Sequence, residues 1–107
     1  MMRAEYMTAD DVADAAQDLM RALQRAGAPD VEIDRHTVTT YSERGPYPAY
    51  AVDCTIRGGA VPAVRIVRLH ADGTEEPPTI LPHNDVDALV RVILSALTPS
   101  TPKEPTE

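Results

Sequence analysis

The sequence predicts an α+β domain of order αβββα, in which both helices pack on one face of a three-stranded antiparallel meander. Three observations lead to this fold class. Apolar residues recur at spacings of three and four near both ends, strand-forming residues alternate with polar ones in the middle, and 107 residues suit one small domain. We therefore assign residues 8–97 to a single domain, between a flexible segment 1–7 and a disordered tail 98–107 rich in proline, threonine and glutamate.

The first helix is predicted to begin after Thr8. Thr8 and Asp11 have the spacing of a capping box, and Gly27 followed by Pro29 ends the helical pattern. The apolar stripe consists of Val12, Ala15, Ala16, Leu19, Met20, Leu23 and Ala26. The opposite face carries Asp10, Asp11, Asp14 and Asp18, which we interpret as a solvated acidic face, with docking of a basic partner as the alternative.

Residues 31–70 are rich in Val, Ile, Thr and Tyr and are predicted to form the meander. In the central strand, Tyr50, Val52, Cys54 and Ile56 alternate with polar or small residues and are predicted to face the helices. A longer, less regular strand over 31–41 precedes it, joined by a loop over 42–48. The glycine pair in 57–60 predicts a tight hairpin turn that leads into the third strand, 64–70.

The third strand has an ambiguous pattern. Val64 and Ile66 lie on one face, whereas Val67 and Leu69 lie on the other. A bulge or a partly buried edge explains this pattern, and the alternative is that Val67 and Leu69 belong to a partner interface. After the strand, prolines in 77–78 interrupt regular structure, and residues 79–81 are expected to pair briefly or simply to pack.

The second helix is predicted to follow a cap at Asn84. Its apolar stripe consists of Val86, Leu89, Val90, Ile93, Leu94 and Leu97. Val92 and Ala96 extend this stripe toward the opposite side, which makes the helix too apolar to be half exposed. We therefore expect the helix to lie in the core or to contribute to a homodimer contact.

The element order resembles that of double-stranded RNA-binding domains, with Gly45-Pro46 in the loop before an aromatic-led strand at Tyr50 as the matching residues. The resemblance covers about residues 9–97 and implies a similar architecture. That family begins its second helix with a lysine-rich signature that binds phosphate. The corresponding stretch here, 84–89, contains two aspartates instead.

The charge argues against general nucleic-acid or anionic-membrane binding. The formal net charge is −7, and segments 1–30, 31–70 and 71–107 carry −3, +1 and −5. No apolar run reaches the length of a membrane span, a single cysteine forms no internal disulfide, and nothing resembles a secretory signal. We expect a cytoplasmic protein without membrane association. The preference for arginine over lysine is typical of a bacterial or phage protein from a GC-rich genome.

Candidate catalytic and metal-binding residues are few. Cys54 falls in the inward register of the central strand, where a small buried hydrophobe is expected rather than a reactive thiolate. The histidines at 36, 70 and 83 are separated too widely from one another and from Cys54 to form a local ligand pair. The sequence therefore predicts no catalytic residue, no metal site, no cofactor and no enzymatic activity.

By exclusion, the sequence favours a small, non-catalytic protein-interaction or regulatory protein that acts as a homodimer and docks on another protein. The residues expected to contact a partner are Val67, Leu69, Val92, Ala96, Arg57, Arg65 and Arg68. The alternative is a nucleic-acid-associated regulator that uses the arginine-bearing face of the sheet, where the arginines would contact phosphates and a tyrosine would stack on bases.

Overall fold

The computed structural model describes residues 6–97, which form two helices and five strands. The helices are α1, Ala9–Arg25, and α2, Val86–Leu97. The strands are β1, Asp30–Asp34; β2, Thr37–Tyr41; β3, Tyr50–Arg57; β4, Ala63–His70; and β5, Thr79–Leu81. They form one antiparallel sheet in chain order, β1-β2-β3-β4-β5. The α+β class is confirmed, but the prediction of three strands is wrong, and the αβββα order shared with double-stranded RNA-binding domains is not observed.

The first extra strand arises because the predicted strand over 31–41 is a hairpin. Arg35 and His36 form its two-residue turn, and Arg35 adopts a φ of 57°. This left-handed conformation matches the twist of a two-residue hairpin, but it is usually supplied by Gly, Asn or Asp. The backbone N–H of Ile56 donates to the carbonyl of His36 at 2.9 Å and ties the turn to β3.

The second extra strand is β5, which pairs with β4 over three residues, so residues 79–81 do pair. The connection from β3 to β4 also differs from prediction. Five residues, 58–62, separate the two strands in place of a tight turn. Within this connection, Gly59 forms an antiparallel bridge with Met7, which draws the chain before α1 onto the end of the sheet.

Both helices pack on the predicted face of the sheet, because the inward residues of β3 belong to the same apolar core as the helix stripes. That Val52, Cys54 and Ile56 face the helices is therefore confirmed. The core consists of Met7, Val12, Ala16, Leu19, Leu23, Val38, Val52, Cys54, Ile56, Val64, Ile66, Leu89, Ile93 and Leu97. Within residues 6–97, the other face of the sheet carries no helix.

Strand β4 is regular and pairs with β3 without a bulge from Ala63 to His70. Val64 and Ile66 join the core under the helices, while Val67 and Leu69 lie on the opposite face. Arg68 follows Ile66 on the helix side. The bulge offered as an explanation of the mixed pattern is absent from the described strand, and each face of β4 carries apolar residues instead.

Each helix begins at a residue whose side chain accepts a hydrogen bond from the first turn. The Thr8 hydroxyl accepts from the Asp11 N–H at 3.1 Å and the Asp11 carboxylate accepts from the Thr8 N–H at 2.9 Å, which confirms the capping box. At α2, Asp85 and not Asn84 provides the cap, because its carboxylate accepts from the Ala88 N–H at 3.1 Å. An aspartate satisfies the free amides and also complements the positive end of the helix dipole.

The packed domain begins before Thr8. Met7 is buried, its N–H donates to the Gly59 carbonyl at 3.0 Å, and the Gly59 N–H donates back at 2.9 Å. A Cβ atom at Gly58 would lie 2.7 Å from a methyl of Val12, so only glycine permits this close approach. Met7 therefore belongs to the domain and not to the flexible segment predicted over 1–7. The rest of that segment up to residue 5, and the predicted disordered tail 98–107, lie outside the described residues.

Candidate functional site

The sheet face opposite the two helices, which we call the open face, is left uncovered by them. Pairing registers place its residues in three rows that cross the sheet. From β1 toward β5 the rows are Asp30, Tyr41, Ala51 and Leu69; Glu32, Thr39, Asp53 and Val67; and Asp34, Thr37, Thr55, Arg65 and Ile80. Arg57 and Ala63 lie beyond the third row at the end of β3 and β4.

Negative and positive side chains are concentrated at different strands of the open face. Strand β1 points its three carboxylates, Asp30, Glu32 and Asp34, to this face, while Arg57 and Arg65 occupy β3 and β4. Within the described residues, neither of these two arginines has a carboxylate within ion-pairing distance. The face therefore has an acidic edge and an unpaired basic region. This pattern favours binding to a surface whose positive charges face the acidic edge and whose negative charges face the basic region.

Two side-chain hydrogen bonds order the acidic half of the open face. The Thr39 hydroxyl donates to Asp53 at 2.8 Å, and the Tyr41 hydroxyl donates to Glu32 at 2.9 Å. Burial, reinforced by the bond to Glu32 and by its negative charge, raises the pKa of Tyr41 above its ordinary value. Tyr41 therefore remains a neutral donor and holds Glu32 in place on the face.

The structure separates the residues predicted to contact a partner into three groups. Val67, Leu69, Arg57 and Arg65 lie together on the open face. Arg68 lies on the helix side of the sheet. On α2, Val92 and Ala96 are half-buried and pack against the core. Val67 is only 4% exposed although no helix covers it, so Leu69 and the 58% exposed Ile80 supply the accessible apolar area.

A polar cluster that the sequence does not predict lies where β3 begins and β4 ends, and we call it the β4 clasp. The Arg68 guanidinium lies 4.3 Å over the centre of the Tyr50 ring, and the His70 ring meets Tyr50 edge-on at 5.3 Å. Glu76 pairs with His70 at 2.7 Å and with the Arg68 Nε at 3.4 Å. The clasp holds the chain after β4 against the sheet, since the Glu76 N–H also donates to the Arg68 carbonyl.

We expect Glu76→Gln to destabilise the fold by about 1 kcal/mol, because glutamine keeps the size but removes the charge facing Arg68 and His70. Arg68 Nε is buried and makes no hydrogen bond, so the Glu76 carboxylate offsets the cost of removing this positively charged group from water. Urea unfolding at pH 6 measures the difference. Glu75→Gln, on the exposed neighbour, is the matched control and should leave the stability unchanged. Equal stability of the wild-type and Glu76→Gln proteins would show that the clasp contributes nothing.

The residues considered for catalysis and metal binding do not converge. Cys54 is buried in the core, and burial raises the pKa of its thiol to about 12, so its thiolate is suppressed. His36 lies in the β1–β2 turn, His70 in the β4 clasp, and His83 just before α2. Within residues 6–97, no three His, Cys, Asp or Glu side chains gather closely enough to hold a metal ion.

No protein-family model, curated protein or solved structure matches this chain. Neither helix of the described region has both the length and the apolar character needed to cross a membrane. The open face and its charges are therefore the features of this protein that bear most directly on function.

Proposed function

We propose that this chain is a small, non-catalytic protein-interaction protein of the cytoplasm that works as a homodimer joined through the open face. The observation that carries the proposal is the order of charge across that face, acidic along β1 and at Asp53 of β3, and basic at Arg65 of β4 and at Arg57 at the end of β3. A surface with this order is complementary to a second copy of itself, because a two-fold axis brings opposite ends together.

A two-fold axis parallel to the strands and passing between β2 and β3 gives the complementary arrangement. It lays β1 of each copy over β4 of the other and β2 over β3, and it keeps each row opposite the same row. Asp34 of one copy then faces Arg65 of its partner, since the two residues share a row. In the second row, Asp53 of one copy faces Thr39 of the other. Sheets packed face to face in this way lie about 10 Å apart.

The expected dimer is reversible. The four strands that overlap, β1 to β4, are five to eight residues long and spaced about 4.8 Å apart, so they present on the order of 500 Å² per copy. The total of about 1,000 Å² is at the lower end of specific interfaces, so we expect a dissociation constant in roughly the micromolar range.

The same charges favour a protein partner over nucleic acid. Arg57 and Arg65 share the open face with four carboxylates, those of β1 and Asp53, which repel a phosphate backbone. The nucleic-acid alternative predicts binding of a short duplex at low salt that falls steeply as salt is added, and we expect no such binding.

A charge exchange tests the dimer. We expect Arg65→Glu to weaken the dimer at least tenfold in sedimentation equilibrium, and the second change Asp34→Arg to restore it, because the exchange re-forms the pair with inverted signs. Arg91→Glu makes the same charge change on an exposed position of α2 and should leave the dissociation constant unaltered.

The outcome against the proposal is equally concrete. A wild-type protein that sediments as one chain at several hundred micromolar has no such dimer. A dimer that responds equally to Arg65→Glu and Arg91→Glu is joined elsewhere. Circular dichroism of each variant confirms that the sheet is intact, so a loss of association is not mistaken for unfolding.

A further inference from the structure

A groove lies where the start of α1 crosses the end of β3, at the opposite end of the sheet from the β4 clasp. Its volume is about 700 Å³, within the range of small-molecule sites. The apolar lining comes from Met7, Ala9, Val12, Ala13 and Ile56. The bridge between Met7 and Gly59 and the close approach at Gly58 hold the backbone on one side of the groove.

The groove is basic in an acidic protein. Within residues 6–97, the charged or titratable side chains that line it are Arg35, His36 and Arg57, and no carboxylate does so. The aspartates of α1 lie outside its lining, and neither Arg35 nor Arg57 forms an ion pair within residues 6–97. Unpaired guanidinium groups beside an apolar surface complement a molecule that carries an anion on an apolar body.

The hairpin turn fixes the position from which the Arg35 side chain leaves the backbone. The Arg35 φ of 57° is the one left-handed value at a non-glycine residue within the described chain. A bulky side chain pays a conformational cost in this region, and such costs are concentrated at binding and active sites. The two-residue turn holds the backbone of Arg35 in this conformation at the edge of the groove.

We infer that this groove binds a small amphipathic carboxylate, with an apolar chain or ring along Met7, Val12 and Ile56 and the carboxylate between Arg35 and Arg57. A carboxylate suits the site because a guanidinium binds it through two parallel hydrogen bonds. Thr55 and Arg57 line the groove and also lie on the open face, so the two surfaces meet along this edge. The inference does not rest on the proposed dimer, because its anion site also needs Arg35, which lies outside the rows of the open face.

Three ten-carbon probes with different head groups test the inference: decanoate, decan-1-ol and decylammonium. In heteronuclear NMR titrations of the full chain, decanoate should shift amide signals of the groove, above all those of Ala9, Ala13, Gly58 and Gly59. We expect decanoate to bind at least tenfold more tightly than the alcohol, and decylammonium to bind more weakly still. Added salt should weaken decanoate and leave the alcohol unchanged.

The deciding variant is Arg35→Asn, because asparagine tolerates the left-handed conformation and so preserves the turn while removing the charge. We expect it to weaken decanoate binding about tenfold and to leave decan-1-ol binding unchanged. Arg57→Gln should act in the same direction. Arg91→Gln, which removes an arginine on α2 outside the groove, is the matched control.

Each of three results would overturn the inference. These results are the absence of any groove shift up to millimolar decanoate, binding of decanoate no tighter than that of decylammonium, and the same decanoate affinity in Arg35→Asn as in Arg91→Gln. Retained dimerisation in Arg35→Asn, measured by sedimentation, separates the two proposals, since the dimer contact runs through Asp34 and Arg65.

Discussion

We expect the Cys54→Ala protein to lose much less stability than the wild-type protein when the pH is raised from 9 toward 12. Burial raises the pKa of Cys54 from 9.0 to about 12, so the folded protein keeps the thiol proton after the unfolded chain has released it. Because the folded pKa is the higher one, this contribution is fully present below pH 9 and is lost as the pH rises toward 12.

The size of this effect follows from the shift. Between the two pKa values, the wild-type protein should lose about 1.4 kcal/mol of stability for each pH unit, in addition to the effects of other groups. Urea unfolding at pH 8, 9, 10 and 11 measures the slope. All other titratable groups are common to both proteins, so the difference between the two slopes isolates Cys54.

Alanine is smaller than cysteine and lowers the stability at every pH, so the comparison rests on slopes and not on absolute values. Parallel pH profiles of the two proteins would mean that Cys54 already titrates normally in the folded state. Such a thiol would be accessible, and the view of Cys54 as a core residue would then be wrong. This would also contradict the expectation that Cys54 is not a reactive thiolate.

The two helices and the central strand could be predicted because their patterns are local. The stripe from Val12 to Leu23 and the alternation from Tyr50 to Ile56 each repeat with the period of one element. Capping also follows short-range chemistry, which is why Thr8 was identified correctly. At α2, two adjacent residues, Asn84 and Asp85, were both suitable caps, and only the backbone path decides between them.

The β1–β2 hairpin was missed because its turn, Arg35-His36, contains none of the residues that usually mark one. A signal was nevertheless present. Aliphatic residues fall at odd positions, Val31 and Ile33, and then at the even position Val38. In an antiparallel hairpin with a two-residue turn, paired residues differ by an odd number, so this change of parity indicates a reversal of the chain.

The candidate surfaces could be predicted only in part. Alternation along β3 and β4 predicts one shared face for four odd-numbered residues, Val67, Leu69, Arg57 and Arg65. The acidic edge on the other side of this face depends on strand β1, which could not be distinguished from β2 in the sequence. The β4 clasp and the groove depend on the pairing register and on the path of the chain before α1. Neither leaves a periodic pattern, so both were invisible in the sequence.

We expect Thr40→Val to stabilise the fold by about 1–3 kcal/mol. Thr40 is fully buried on the helix side of β2, between Val31 and Val52 of the neighbouring strands, and its hydroxyl has no hydrogen-bond partner. Folding therefore removes this hydroxyl from water without compensation, and valine of nearly the same shape avoids that cost.

Thr39→Val is the matched control, because it makes the same change on the adjacent residue of the same strand. Thr39 faces the open side and its hydroxyl donates to Asp53 at 2.8 Å, so its replacement should destabilise the fold by about 1 kcal/mol. Chemical denaturation of both variants at pH 7 compares them. Opposite signs support the assignment of Thr40 as an uncompensated core hydroxyl. A Thr40→Val protein that is less stable than wild type would show that the hydroxyl is satisfied in solution, and the sheet would then carry a polar contact between β2 and the helices.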